Sequence, residues 1–330
     1  MLLLVTPAPV DSPTGNGVTA RRWASILRDL GQPVRFGQAY EKGDYAGLIA
    51  LHARKSAHAV RAFHADHPDA PIVIAMTGTD LYPGPAAAGV DPSVLALASR
   101  LVVLQANGLN QLTPELRERT RVIIQSMAAI APAPPRPDCF EVAFLAHLRP
   151  VKDPLLLAAA VQRLPTASRI RVTHVGGASD TVLAEAAAAA CAANERYDWL
   201  GPLPRREALA ILARSRLLAV TSVHEGGANV ISEALAAGVP VISSAIPGST
   251  GLLGADYPGY FRTGDAESLA SVLCAAENDR GGYYRLLRER CAALQYLVDP
   301  ARERQAWARV LGELALSPQA DLGGPSAARP

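Results

Sequence analysis

Ser222-Val-His-Glu-Gly-Gly-Ala-Asn-Val-Ile-Ser-Glu233 joins an apolar run, Leu217–Ser222, to a helical one, Ala228–Ala237, that Gly238 closes. A short β-rich run, a glycine turn and a helix start together form the unit from which parallel sheets covered on both faces are built. Gly226 and Gly227 lack a Cβ and let backbone N–H groups approach a ligand closely. The helix aims the positive end of its dipole at the same point, so the amides of Gly226, Gly227, Ala228, Asn229 and Val230 outline an anion site suited to phosphate. Glu225 lies in the loop and Glu233 about a turn and a half into the helix. Carboxylates accept hydrogen bonds from hydroxyls, so a ligand with phosphate in its middle and hydroxyls on both sides spans the two. Without a ligand, the same residues read as a Gly-Gly turn, a solvated glutamate and a helix-surface glutamate.

The alternation extends in both directions. Before the linker, Leu2–Thr6, Gly47–His52, Ile72–Thr77, Leu101–Gln105 and Val122–Gln125 read as strands. Helical stretches separate them, such as Val18–Leu30, where Trp23, Ile26, Leu27 and Leu30 share one face and Gly31 supplies the stop. Ala131-Pro-Ala-Pro-Pro-Arg-Pro137 reads as a stiff linker. After it come strands at Glu141–His147, Ile170–Val175, Leu217–Ser222 and Val239–Ser243, with the alanine-rich helix Leu183–Ala193 between them. The predicted fold class is α/β, two Rossmann-like doubly wound domains facing across a cleft: residues 1–135, then 136–316. Helical patterns at Tyr283–Leu294 and Ala301–Leu314 follow the last strand, and the second leaves open a return to the first domain. Residues 317–330, rich in Pro, Gly, Ala and Ser, are expected to be a disordered tail.

In open parallel sheets, ligands sit outside the carboxyl ends of the strands, which directs attention to the remaining loops there. Phe144-Leu-Ala-His-Leu-Arg-Pro-Val-Lys-Asp-Pro154 carries His147, Arg149 and Lys152 within six residues. Cations so placed stabilise the charge on a departing diphosphate. A lysine at a helix start opposes the helix dipole, which favours a ligand there over a merely solvated charge. Thr14-Gly-Asn-Gly17 is not a G-x-G-x-x-G fingerprint, because Ala20 occupies the third glycine's place, and it reads as a flexible loop. His52-Ala-Arg-Lys55 and Thr77-Gly-Thr-Asp80 also follow strands and converge on the same sheet edge. Gly15, Asn16, Gly17, Arg22, His52, Arg54, Thr77, Thr79 and Asp80 are therefore candidate acceptor-binding residues. With Lys55 they suit a small phosphorylated molecule better than a lipid or a sugar.

Composition narrows the classes. The 330 residues suffice for about two domains with cores of their own, which excludes small disulfide-stapled scaffolds. Lys plus Arg total 32 against 30 Asp plus Glu, divided 13 to 11 through Asp138 and 19 to 19 beyond it. Neither half has the bulk charge of a nucleic-acid binder. Only Lys42, Lys55 and Lys152 are lysines, which singles out the third. Cys139, Cys191, Cys274 and Cys291 are far apart without C-x-x-C spacing, as expected of thiols in a reducing compartment. Met1–Val5 is apolar but interrupted at Thr6-Pro7 and reads as a first strand, not a signal peptide. No run approaches the roughly 18 apolar residues of a membrane span. A cytoplasmic protein with no membrane or nucleic-acid partner is expected.

The stretch Arg214–Gly248, with Glu225, seven intervening residues, Glu233 and then Ala-Leu-Ala-Ala-Gly-Val-Pro-Val, resembles the donor site of GT-B glycosyltransferases of family four. The resemblance implies that Glu225 contacts the transferred sugar and Glu233 the nucleotide ribose, with neither metal nor cofactor. Phe144–Pro154 resembles the family's G-R-L-x-x-x-K-G segment. Lys152 falls on its lysine, His147 stands where its arginine stands, and Arg149 follows two residues later, so either of the last two is a candidate for the diphosphate. Tyr197–Leu203 resembles the loop whose backbone holds uracil, which makes Leu203 a donor-binding candidate. A narrower set, Thr6–Pro9, Thr14–Ala20, Leu51–Arg54, Thr77–Tyr82, His147–Pro154 and Gly254–Phe261, is similar to selenosugar synthases of the selenoneine pathway. That similarity implies selenophosphate and a UDP-sugar, typically UDP-N-acetylglucosamine, as substrates, with Glu225, Lys152 and Arg149 catalytic and a downstream pathway enzyme as a possible partner. Nothing in the residue chemistry itself specifies selenium. An O-glycosyltransferase acting on a small metabolite or lipid and a non-catalytic UDP-sugar sensor remain alternatives, and a two-lobed solute-binding protein is disfavoured without an export signal.

Overall fold

The computed structural model describes residues 1–12 and 14–316; Pro13 and the tail expected at 317–330 lie outside the described residues. The first sheet is parallel, with strands β1 Leu2–Val5, β2 Val34–Gly37, β3 Gly47–Leu51, β4 Ile72–Met76, β5 Arg100–Val103 and β6 Thr120–Val122 in the order β2-β1-β3-β4-β5-β6. The second is also parallel, with β7 Phe140–Leu145, β8 Ile170–Val175, β9 Tyr197–Trp199, β10 Leu217–Val220, β11 Val241–Ser244 and β12 Tyr260–Phe261 in the order β12-β11-β10-β7-β8-β9. The expected pair of doubly wound domains is thus present. Strand order reverses between β1 and β3 in one sheet and between β7 and β10 in the other, and ligands lodge in such crevices.

Helices α1 Gly15–Asp29, α2 Ala57–Asp66, α3 Pro92–Ala96 and α4 Pro114–Glu118 connect the first set of strands. Those of the second are α5 Leu156–Val161, α6 Thr181–Ala193, α7 Arg205–Arg214, α8 Asn229–Ala237, α9 Pro247–Leu253, α10 Ala266–Glu277 and α11 Tyr283–Leu294, followed by α12 Pro300–Glu313. Because helices cover both faces, central strands are apolar throughout: Leu2, Leu3, Leu4 and Val5 are all buried. α12 packs on α1, where Trp23 and Trp307 meet edge to face at 4.7 Å. Residues 123–139 form neither helix nor strand, and backbone bonds from Met127 to Val298, Ile130 to Ala236 and Ala133 to Ala213 tie this segment to the second domain.

Several local expectations are corrected. Thr14 caps α1 by accepting from the Gly17 amide at 3.3 Å, so Gly15–Gly17 form a helical turn where a flexible loop was expected. β6 ends at Val122; Ile123 N still donates to Val103 O at 2.9 Å, and from Ile124 the chain leaves the sheet for the linker. The edge strands β2, β9 and β12 escaped the pattern because they are only partly buried and so are not continuously apolar. Among the described residues no helix is long and apolar enough to cross a membrane, and no group of three or more His, Cys, Asp or Glu is placed to hold a metal.

Candidate functional site

The second sheet's reversal brings together the loops after β7 and β10. Val223 N donates to Val151 O at 2.9 Å, and Thr221 Oγ1 donates to the carbonyls of Lys152 and Asp153 at 2.7 and 3.0 Å. Lys152 sits in a single 3₁₀ turn, Pro150–Lys152, ahead of α5 and not at the start of that helix; Asp153, at φ 43°, turns the chain between them. Lys152 Nζ is ion-paired with Glu225 Oε1, the same oxygen that accepts from Ser222 Oγ at 2.7 Å. Ala228 precedes α8 and has no side-chain acceptor, so the helix opens without a side-chain cap. His147 Nδ1 accepts from the Gly177 amide at 3.0 Å, while Arg149 is exposed at the loop's rim. Leu203 packs on the second-domain core just ahead of α7. From the first residue of α7, Arg205 Nη1 reaches Glu233 Oε1 at 2.7 Å.

On the first-domain side, the fully buried Asp80 organises two loops. Its Oδ2 accepts from Ala53 N at 2.7 Å, and its Oδ1 from Thr77 N and Gly78 N at 2.8 and 2.9 Å. His52 is buried at φ 70°, and its Nε2 lies 3.0 Å from Thr79 Oγ1. Burial pushes the imidazole below its usual pKa, Asp80 opposes this, and Lys55 and Arg54 add to it. Arg54 turns aside to donate to Ala88 O at 2.8 Å, and Lys55 is exposed.

The two sides touch. A Cβ on Gly226 would stand 2.5 Å from the Thr77 carbonyl, and one on Gly227 would stand 2.6 Å from Leu104 Cβ. These glycines admit the opposite domain, a purpose the sequence reading, which gave them to a ligand alone, did not contain. Asn229 Nδ2 lies 3.4 Å from Gly15 O and 3.3 Å from Thr19 Oγ1, and Asn107 Nδ2 donates to Thr250 Oγ1 at 2.9 Å. Arg22 was expected among the acceptor ligands. Its Nη1 donates to Asn229 Oδ1 at 3.0 Å and its Nε pairs with Glu303 Oε2 at 2.9 Å, so it links α1 to α8 and α12. Glu303, 1% exposed, also accepts from Trp23 Nε1 at 2.7 Å and Ser126 N at 2.8 Å. Burial lowers the Arg22 pKa, and the neighbouring Glu303 opposes that shift.

The structure thus joins Lys152 with Glu225, Asn229 with Gly15 and Arg22, and His52 with Thr79 beside Asp80. It holds Glu225 and Glu233 on separate cationic partners, and Asn16 in the first turn of α1. Sequence reasoning missed Ser222, Arg205 and Glu303. Only Glu303 left a readable signal, since a carboxylate shares the apolar face of Trp307 and Val310 at i, i+4 and i+7.

Two doubly wound domains closing on a loop and helix start of this kind define the GT-B class. Residues 130–293 match the family model for glycosyl transferases group 1. The D-inositol 3-phosphate glycosyltransferase of Mycobacterium sp. strain KMS is 34% identical over 112 residues, covering 32% of this chain and only 25% of that relative. Nearly the whole chain shares its fold with HepE of Anabaena, solved in complex with UDP and glucose: the TM-score is 0.74 at 16% identity, covering 94% of this chain and 99% of that one. A sucrose-phosphate synthase from Thermosynechococcus elongatus is similar too, with TM-score 0.75 at 15% identity over 95% and 98% of the two chains.

Proposed function

We propose that the protein transfers the sugar of a UDP-sugar, UDP-N-acetylglucosamine being the expected donor, to selenophosphate, releasing UDP and phosphate. The observation that carries a donor site is the Lys152–Glu225 pair at the mouth of α8, whose first turn has no side-chain cap. A diphosphate there gains Lys152, the helix amides and Arg149, which the loop leaves exposed while His147 turns to Gly177. Glu225 then holds the hexose and Glu233 the ribose, whose hydroxyls share or displace Arg205. The selenium attacks the anomeric carbon, a C–Se bond forms, and the C–O bond to the β-phosphate breaks with its electron pair leaving on UDP. Water then cleaves the P–Se bond to give the selenosugar and phosphate. An anionic nucleophile needs no strong base, only screening of its charge, and the exposed Lys55 of the first-domain loop supports that role.

The D-inositol 3-phosphate glycosyltransferases favour a second reading, transfer to a hydroxyl of a phosphorylated metabolite. Both acceptors carry phosphate. Anaerobic incubation with a panel of UDP-sugars and either selenophosphate or D-inositol 3-phosphate, read by mass spectrometry, separates them. A selenium isotope envelope on an N-acetylhexosamine mass is expected. A hexosyl phosphoinositol without a selenosugar supports the second reading, and UDP-sugar binding with no turnover would make the protein a sensor.

A further inference from the structure

His52 directly follows β3, which adjoins the strand-order reversal of the first sheet, and takes a left-handed backbone that is uncommon outside glycine, though His, Asn and Asp adopt it more readily than other side chains. Its surroundings fix that backbone: His52 N donates to Ala75 O at 2.8 Å, Ser56 N donates to His52 O at 3.0 Å, and Asp80 holds the next amide, Ala53 N. That backbone turns the buried ring toward Thr79, with Nε2 3.0 Å from its hydroxyl oxygen. Thr79, its partner, follows Gly78, where a Cβ would be 3.0 Å from the Gly226 amide. The pair thus stands beside the proposed donor loop.

We propose that Thr79 donates its hydroxyl proton to an anionic oxygen of the acceptor and that His52, as a neutral ring, is the residue that positions Thr79 to do so. The argument is one of directions. Asp80 is committed to three backbone amides, and its Oδ2 lies 3.7 Å from His52 Nδ1, beyond hydrogen-bond range. The His-Asp arrangement of a general base is therefore not assembled. The Lys55 amide faces Nδ1 at 3.5 Å, the outer limit of a hydrogen bond, and this contact favours the ring proton on Nε2. Nε2–H donates to Thr79 Oγ1, and among the described residues that oxygen has no other hydrogen-bond partner. The hydroxyl hydrogen is then left to point outward. The result is a site that donates to oxygen and takes no proton, as an already ionised, phosphate-bearing acceptor requires.

This inference rests on the proposed acceptor side of the cleft, and its test is chosen to fail separately. Inorganic phosphate is titrated into the full chain in the presence of UDP, with the His52 ring followed by long-range proton–nitrogen NMR. The wild type is expected to show the Nε2–H tautomer at pH 7 and a saturable phosphate response. Thr79→Val and His52→Ala should weaken phosphate binding about tenfold or more with UDP affinity unchanged within twofold, and His52→Asn, which tolerates the backbone and keeps a donor, should recover most of it. An Nδ1–H tautomer, no saturable response in the wild type, or equal phosphate affinity in Thr79→Val would overturn the assignment. Failure of the wild type to turn over selenophosphate would overturn the substrate reading and leave the phosphate titration to decide this one.

Discussion

Lys152 shows what a single residue contributes and how much of it was readable. Its rarity and its loop marked it, but its partner was invisible, because nothing in the sequence says that Lys152 Nζ and Glu225 Oε1 share one point in space. A partly exposed ion pair adds only about 0–1 kcal/mol to stability, whereas a charge aimed at a departing diphosphate is worth about 100- to 1000-fold in rate. Lys152→Met is therefore expected to lower kcat by about two orders of magnitude while the melting temperature moves by a degree or two at most. Wild-type turnover of UDP-sugar in this variant would remove Lys152 from the proposed mechanism. Arg205 is the opposite case. It gave no signal, being one arginine among many, yet it sits on the carboxylate proposed for the ribose.

At the level of elements, the central strands were readable because burial on both faces makes them continuously apolar, and the short edge strands were not. β8 adds a buried exception. His174 donates from Nε2 to Ala146 O at 2.8 Å, just before the proposed diphosphate loop, and its Nδ1 accepts from Tyr197 OH at 2.6 Å. Burial pushes its pKa down to about 4 from 6.5, and burial likewise raises that of Tyr197, which keeps the phenol a donor. The folded ring thus stays neutral where an unfolded histidine takes up a proton. Stability is complete above pH 6.5 and is lost as pH falls toward 4, because the unfolded state binds the extra proton in that window. Denaturant titrations at pH 7 and about pH 4.5 should show the wild type losing about 2–3 kcal/mol more than His174→Gln. Equal losses would mean that His174 does not carry the acid sensitivity.

Across the whole molecule, the contacts that close the cleft are built on absent side chains and one buried acid. Gly227→Ala would drive a Cβ to 2.6 Å from Leu104, so the variant is expected to bind UDP but adopt a more open shape. Its turnover should fall at least tenfold, with a larger radius of gyration in small-angle scattering; an unchanged radius and rate would show that closure does not depend on this contact. Glu303 holds α12, α1 and the linker at one point, through Arg22, Trp23 and Ser126. Removing one member of a buried pair strands the other charge, so Glu303→Ala should cost about 3–5 kcal/mol in denaturant unfolding. A loss below 1 kcal/mol would show that Arg22 finds another partner or water.

By itself, the sequence determined the two parallel sheets, the loops at their carboxyl ends and the chemical types gathered there. Those follow from local periodicity and from glycine and charge at particular loop positions, which neighbours in the chain suffice to express. Tertiary structure alone decided that Arg22 serves α8 and Glu303, that Gly226 and Gly227 receive the opposite domain, that Arg205 covers Glu233 and that His52 faces Thr79. Each of these joins residues 27 to 281 positions apart or fits one backbone against another. Such meetings are set by how helices and sheets pack, and local propensity carries no record of them.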